Sequence, residues 1–304
     1  MKVLVTGATG FVGREVIRQL DEAGHSVRIL ARDPDSQRVL DIAGRFQVEV
    51  HCGNMLDAAS LEGGLQHIDA VIHLVGIISE VGENTFENVH ARGTENIVNA
   101  ARKAGARRFI HMSALGTRPN AISHYHQSKW TAEGIVRRSG LDWTIFRPSI
   151  IYGPGDGFVN LFARMARFSP VLPVMGSGRT QFQPVAVESV AACFVKALNE
   201  HRAIGMTRDL CDTEVFTLEQ ILDLILEVTG RRRLKLRVPM WLVRCQAAAL
   251  EFIFPRLLGK APPLNRDQLL MLLEDNVGDP RPTMELFELE PVSFREGITK
   301  YLLC

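Results

Sequence analysis

Two rhythms alternate along the first half of this chain. Short strand-like runs at residues 2–5, 27–31, 46–51, 69–74, 107–112 and 142–146 are separated by segments whose apolar positions recur every three to four residues. The runs at 2–5 and 27–31 are apolar apart from Lys2 and Arg28 and contain β-branched residues, the mark of buried parallel strands. Helical periodicity covers 11–20, 84–104 and 122–139, and Gly105 and Gly140 stand where a helix C-terminus favours glycine. Strand–helix alternation through residue 147 predicts an α/β fold, a doubly wound parallel sheet with helices on both faces. At Tyr152 the alternation stops, and a Gly/Pro/Asp-rich turn follows at 153–157. Beyond it we expect helices at 158–168, 188–199, 217–229, 239–258 and 265–274, with a strand-like piece at 181–187. Residues 1–152 are therefore expected to form the sheet unit, with 183–205 packing back on it. Residues 153–304 are expected to form a smaller, mostly helical cap over the crevice at the strands' carboxyl ends.

The turn after the first strand carries the clearest chemistry. Gly7, Gly10 and Gly13 stand at spacing G-x-x-G-x-x-G between a predicted strand and a predicted helix. Gly7 permits a tight exit from the strand. Gly10 lets a pyrophosphate approach the backbone, and Gly13 lets the helix pack closely on the sheet. The helix then offers free N–H groups and a positive dipole end to the anion. This is the arrangement that holds a dinucleotide, in a loop that also contains Thr9. The second strand ends at Arg32, where an acidic residue would accept from the 2′-hydroxyl of NAD; an arginine suits the 2′-phosphate of NADP instead. Asp33, one residue later, keeps NAD(H) open, so NADP(H) is favoured and NAD(H) retained. After the third strand, Asn54, Met55 and Leu56 lie beside the adenine position. Asp57 accepts from the adenine amino group or caps the helix that begins near Ala58. Leu74, Val75 and Gly76 close the fourth strand, and Gly76 leaves room for the cofactor.

Composition narrows the function classes. The 35 basic and 34 acidic side chains leave a net charge of +1, which gives no bulk attraction to nucleic acid. The cysteines, 52, 193, 211, 245 and 304, are scattered and lack a C-x-x-C pair, so neither a disulfide framework nor a metal site is expected, and a reducing cytoplasm suits them. A core strand beginning at residue 2 leaves no room for a signal peptide, and no charge-free apolar run reaches membrane-spanning length. The segment 240–258 is apolar on most faces, interrupted by Arg244, Glu251 and Arg256. It reads as a core helix of the cap, as the lining of an apolar substrate site, or as a docking surface for a membrane or partner protein. Cytoplasmic location with attachment to the inner face of a membrane follows from the last of these. Arg231, Arg232 and Arg233 form a solvated loop or a small anion site.

Tyr125 and Lys129 are four apart in a predicted helix and share a face. A phenol with a pKa of about 10 is a weak acid–base group at neutral pH. An ammonium ~5 Å away at an effective dielectric of ~20 offers about 3 kcal/mol, enough to bring it into range. Ser113, at the end of the fifth strand, is placed to donate to a substrate oxygen.

Taken together, T-G-A-T-G-F-V-G, Y-x-x-x-K and R-P-S-I-I-Y-G-P-G-D resemble the extended or atypical short-chain dehydrogenase/reductase (NAD-dependent epimerase/dehydratase) superfamily. G-T-E-N at 93–96, S-A-L-G-T at 113–117, S-K-W-T-A-E at 128–133 and R-D-Q-L-L-M-L-L-E-D-N at 266–276 resemble a narrower group, the bacterial relatives of the 39 kDa (alpha subcomplex 9) accessory subunit of mitochondrial complex I. The resemblance implies a Rossmann domain holding NADP(H) or NAD(H). It implies Gly7, Gly10, Phe11, Val12, Gly13 and Arg32 near the phosphates and ribose, and Leu56 near the adenine. It implies Val75 beside the dinucleotide, and Tyr125, Lys129, Pro148, Ile150 and Ile151 near the nicotinamide. It also implies an oxidoreductase moving hydride between NADP(H) and the carbonyl or hydroxyl of a quinone- or isoprenoid-like substrate. Two positions depart from the superfamily pattern: Ala114 replaces the second residue of a Ser-Ser pair, and His90 stands where asparagine is frequent. An incomplete tetrad suits a second reading, a non-catalytic NADPH-binding subunit or assembly factor of the respiratory chain. A nucleotide-sugar epimerase or dehydratase would want a Ser or Thr pair after the fifth strand, which this chain lacks.

Overall fold

The computed structural model describes residues 1–259 and 261–303, so Cys304 of the cysteine set lies outside the described residues. Seven strands form one sheet: β1 (Lys2–Thr6), β2 (Ser26–Ala31), β3 (Val48–Cys52), β4 (Ala70–His73), β5 (Arg108–Met112), β6 (Asp142–Pro148) and β7 (Met206–Leu210). Their order is β7-β6-β5-β4-β1-β2-β3, and every ladder is parallel. The chain winds outward in both directions from the β1–β4 pair, so the carboxyl ends of those two strands form the topological switch point where such sheets bind ligands.

β1 is sealed on both faces, which explains its apolar run. Val3 and Val5 join the core beneath α1 (Phe11–Glu22), while Leu4 joins the opposite core, to which α2 (Gly93–Lys103) and α3 (His124–Arg137) contribute. The first core is completed by α4 (Val187–Lys196), which packs along α1. β2 departs in part from the expectation of a buried strand: Val27, Ile29 and Ala31 are buried, but Arg28 lies on the other side and donates to the carbonyls of Gly64 and Gln66. β7 is an edge strand, M-T-R-D-L, that packs its Leu210 inward and leaves four residues half-buried; its polar composition hid it from a pattern search. The helix expected from Asn84 begins later. A tight Val81–Asn84 bridge comes first, then a π-helical turn at Glu87–Arg92 leads into α2.

Residues 153–304, expected to cap the crevice, contribute most of a separate hydrophobic cluster, in which Phe162, Leu172, Ile221, Ile225 and Ile298 are fully or nearly fully buried. The segment read as 239–258 forms α5 (Met240–Ile253) and a following π-helical turn (Phe254–Leu258). It is no core helix: of its side chains only Val243 and Ala247 are buried, against Leu269 of α6 (Arg266–Leu272).

Gly13 packs tightly against the backbone of the β1–α1 turn. A Cβ there would lie 2.3 Å from the Gly7 carbonyl oxygen and 2.7 Å from that of Ala8. Gly13→Ala is expected to lose about 2–3 kcal/mol in urea denaturation, because backbone on both sides has to move. Gly157→Ala, where a Cβ meets open space, should stay within about 0.5 kcal/mol of the parent.

Candidate functional site

A cleft of about 680 Å³ opens at the switch point. Its floor is the β1–α1 turn. Gly7 has φ +75°, and a Cβ on it would stand 3.1 Å from the Leu74 carbonyl carbon and the Val75 nitrogen. Gly10 is the N-cap of α1 and has no side chain to cap it, so the first N–H groups of α1 are left for an anion rather than tied to a side-chain oxygen. Of the residues expected at the dinucleotide, the cleft brings together Gly7, Thr9, Gly10, Arg32, Asn54, Met55, Leu56, Leu74, Val75 and Gly76. Phe11 and the buried Val12 pack into the core beside it, and Gly13 lies beneath the turn. Pro148, Ile150 and Ile151 lie at the end of β6, where Pro148 accepts from Leu115 and Ile151 pairs with Val185. A cradle of bare backbone ending in an uncapped helix fits a diphosphate. At the far end the cleft is lined by Arg32, Asp33, Ser36 and Arg38. Arg38 escaped the sequence reading; its signal was the second arginine of R-D-P-D-S-Q-R. Asp57 resolves to the helix-capping role, accepting from Ala59 N–H at 3.1 Å.

Gly76 joins this cleft to a buried polar layer. A Cβ on Gly76 would stand 3.0 Å from Lys129 Nζ and 3.5 Å from His90 Nε2. Lys129 is 2% exposed and donates to the Met112 carbonyl at 3.1 Å. His90 accepts from Ile77 N–H at Nε2 (3.0 Å), which leaves Nδ1 to donate to Ser128 Oγ (2.8 Å); Ser128 in turn donates to the Tyr125 carbonyl (2.7 Å). His73 shares hydrogen bonds with Thr6 (2.7 Å) and Thr94 (3.0 Å) and stacks on His111 at 5.4 Å. Burial, with the Lys129 ammonium adding to it, pushes His73 down to about 3 and His90 to about 2, and holds His111 well below the ordinary imidazole range. All three rings are neutral at pH 7. Burial also lowers Lys129, to about 8, against the opposing pull of Glu133.

Tyr125 lies between two clefts. Its ring meets His90 edge-on at 5.5 Å and Phe86 at 6.0 Å. Phe86 lines a second cleft of about 570 Å³, whose walls include Arg244, Glu251, Pro255, Leu269, Leu270 and Leu273 from the cap. The cap also grips the start of α3. Asp267 accepts from His124 N–H (2.8 Å) and Tyr125 N–H (3.0 Å), while Ser123 caps the same helix from within.

Two expectations need correction. Lys129 does not draw the phenol into working range here: burial dominates and pushes Tyr125 up to about 12. Ser113 does not face a substrate oxygen. It is 2% exposed and donates to Glu133 Oε1 at 2.6 Å. Glu133, fully buried, also receives both arms of Arg147 (2.7 Å each) and Arg137 (2.5 Å). The serine serves a buried carboxylate whose charge two arginines balance.

The sequence profile of the NAD(P)H-binding family matches residues 7–201. A ceramide reductase of Caulobacter vibrioides is 34% identical over 240 residues, spanning 78% of this chain and 73% of that protein. The NADH dehydrogenase [ubiquinone] 1 alpha subcomplex subunit 9 of Arabidopsis thaliana is 29% identical, over 90% of this chain and 70% of that one. Among solved structures, UDP-glucose 4-epimerase of Thermotoga maritima superposes with a TM-score of 0.77 over 100% of this chain and 98% of its own, at 22% identity, a likeness of fold.

Lys129 gives the site a pH signature. The folded chain releases this proton near pH 8, whereas the ordinary value is 10.5. Between those values the unfolded chain holds more protons, so stability rises with pH; below them the burial penalty on the ammonium is fully present. Lys129→Met should abolish that rise and gain about 2 kcal/mol at pH 7. Urea denaturation of both proteins from pH 7 to 10.5 checks it: parallel curves would show that Lys129 is not held against its ordinary pKa.

Proposed function

This chain belongs to the NAD(P)H-binding family, and on that premise we propose that it is an NADPH-dependent reductase acting on a carbonyl of an apolar substrate, with Tyr125 as proton donor. One observation carries the reading: the Tyr125 ring stands against His90, next to Gly76 of the dinucleotide cleft, on one side and against Phe86, of the cap cleft, on the other. When bound, the reduced nicotinamide supplies hydride. The residues of the chain manage the oxygen. A phenol raised to about 12 stays protonated at neutral pH, which suits giving a proton to an oxygen that gains charge more than taking one away. Leu269, Leu270 and Leu273 supply the apolar wall, consistent with a relative named as a ceramide reductase.

Arg32 and Arg38 favour a 2′-phosphate over a 2′-hydroxyl. Asp33, the residue that would speak for NAD, accepts from Asp35 N–H at 3.2 Å within its own turn. A second reading has its own support. The engagement of Ser113 with Glu133 and the relatives named as complex I subunits suit a protein that holds NADPH without turnover.

Screening NADPH oxidation against ketones, quinones and prenylated aldehydes separates the two. For an accepted substrate, Tyr125→Phe should lower kcat about 100- to 1000-fold with NADPH affinity unchanged; an undiminished kcat would remove Tyr125 from the chemistry. Tight NADPH binding with no substrate turned over would favour the second reading. Arg32→Ala with Arg38→Ala should weaken NADPH about 10- to 100-fold and leave NADH within about twofold, measured by nicotinamide fluorescence. An unaltered ratio would void the assignment.

A further inference from the structure

Helix α5 shows its apolar side to the outside. Trp241 is 67% exposed and Phe252 61%, and Leu257 in the turn that follows is 76% exposed. At 100° per residue, Trp241, Cys245, Ala249, Phe252 and Arg256 fall on one stripe, with Leu242 and Ile253 along its edge. The stripe is opposite the face that Val243 and Ala247 bury. The strand Leu234–Val238 that leads into the helix adds Leu234 and Leu236, both exposed.

We propose that this face docks on the surface of an anionic lipid bilayer. Its charge selects that occupant. Among the exposed positions of 240–258 the only charged residues are Arg244 and Arg256. The one acidic residue of the segment, Glu251, is half-buried and held by Arg266 through its backbone N–H (2.6 Å) and Nε (2.7 Å). Arg256 lies over the Phe252 ring at 4.1 Å, so the aromatic can enter the headgroup layer while the guanidinium stays at phosphate level. Two copies of this chain meeting through the stripe would bring only cations to it. The helix, about 21 Å long by its rise, suits lying flat, and no described helix is long and apolar enough to cross a membrane.

The same helix gives the docking a direction. Arg244, Glu251 and Pro255 on its inner flank line the cap cleft, so a protein seated on the stripe holds the mouth of that cleft at the lipid surface. The docking itself does not depend on the catalytic reading and is measured without dinucleotide or substrate.

The test is flotation of the full chain with phosphatidylcholine vesicles and with vesicles that also contain phosphatidylglycerol. We expect flotation with the anionic vesicles, at least about tenfold weaker with the neutral ones. Trp241→Ser with Phe252→Ser should cut the anionic binding at least about tenfold, with melting temperature and NADPH affinity unchanged. Arg256→Glu should weaken it selectively on the anionic vesicles. The fluorescence of the parent should shift to the blue on vesicle addition, and Trp241→Phe should lose that shift. Absence of flotation, or equal flotation of parent and double variant, overturns the proposal. A concentration-dependent dimer in sedimentation, abolished by the double variant and without vesicle binding, overturns it in favour of a second copy.

Discussion

The fold depends on how closely two backbones approach at the centre of its sheet. The turn after β1 runs against the end of β4 with no room for a Cβ at Gly7, and α1 sits against that turn with no room for one at Gly13. This approach brings the start of α1 to the switch point, with its N–H groups directed at the space a diphosphate fills. The bulk of the surrounding core, Val3 and Val5 on one face and Leu4 on the other, holds that geometry from both sides.

Above the sheet lies a layer of buried polar groups that divides into two electrostatic halves. One half is cationic but sparse: three neutral imidazoles, His73, His90 and His111, surround the single ammonium of Lys129. The other half is a closed ionic cluster, Glu133 with Arg137, Arg147 and Ser113, with Trp130 beneath the arginines at 4.9 and 5.9 Å. Lys129 and Glu133 are one helical turn apart on α3. The carboxylate thus supports the ammonium at a distance while spending its hydrogen bonds on arginine. Such a division holds one positive charge on the Met112 carbonyl beside the dinucleotide cleft and pairs the others with Glu133.

Much of this was legible in the amino-acid order, for identifiable reasons. The strand–helix alternation and the glycine spacing reflect contacts within about twenty residues, and the β1–α1 turn came out as expected. The edge strand β7 did not, because half-buried strands carry no strong pattern. The fate of Ser113 was hidden because it depends on Glu133, twenty residues away and buried by the fold rather than by its type. The pKa of Tyr125 was misjudged for a related reason: spacing on a helix predicts proximity to Lys129, but not the desolvation that outweighs it. For helix α5 the structure removes one of three readings, the core helix. Its composition is that of a core helix, and composition alone does not say which face the rest of the chain will cover.

The grip of Asp267 on the first turn of α3 has a mechanical corollary. A carboxylate contributed by α6 closes the amide ends of His124 and Tyr125, so the cap holds the tip of the helix on which the phenol stands. Without that carboxylate the two amides lose this acceptor, and Ser123 alone caps the first turn. The placement of α6 and the order of the turn that carries Tyr125 are thereby linked.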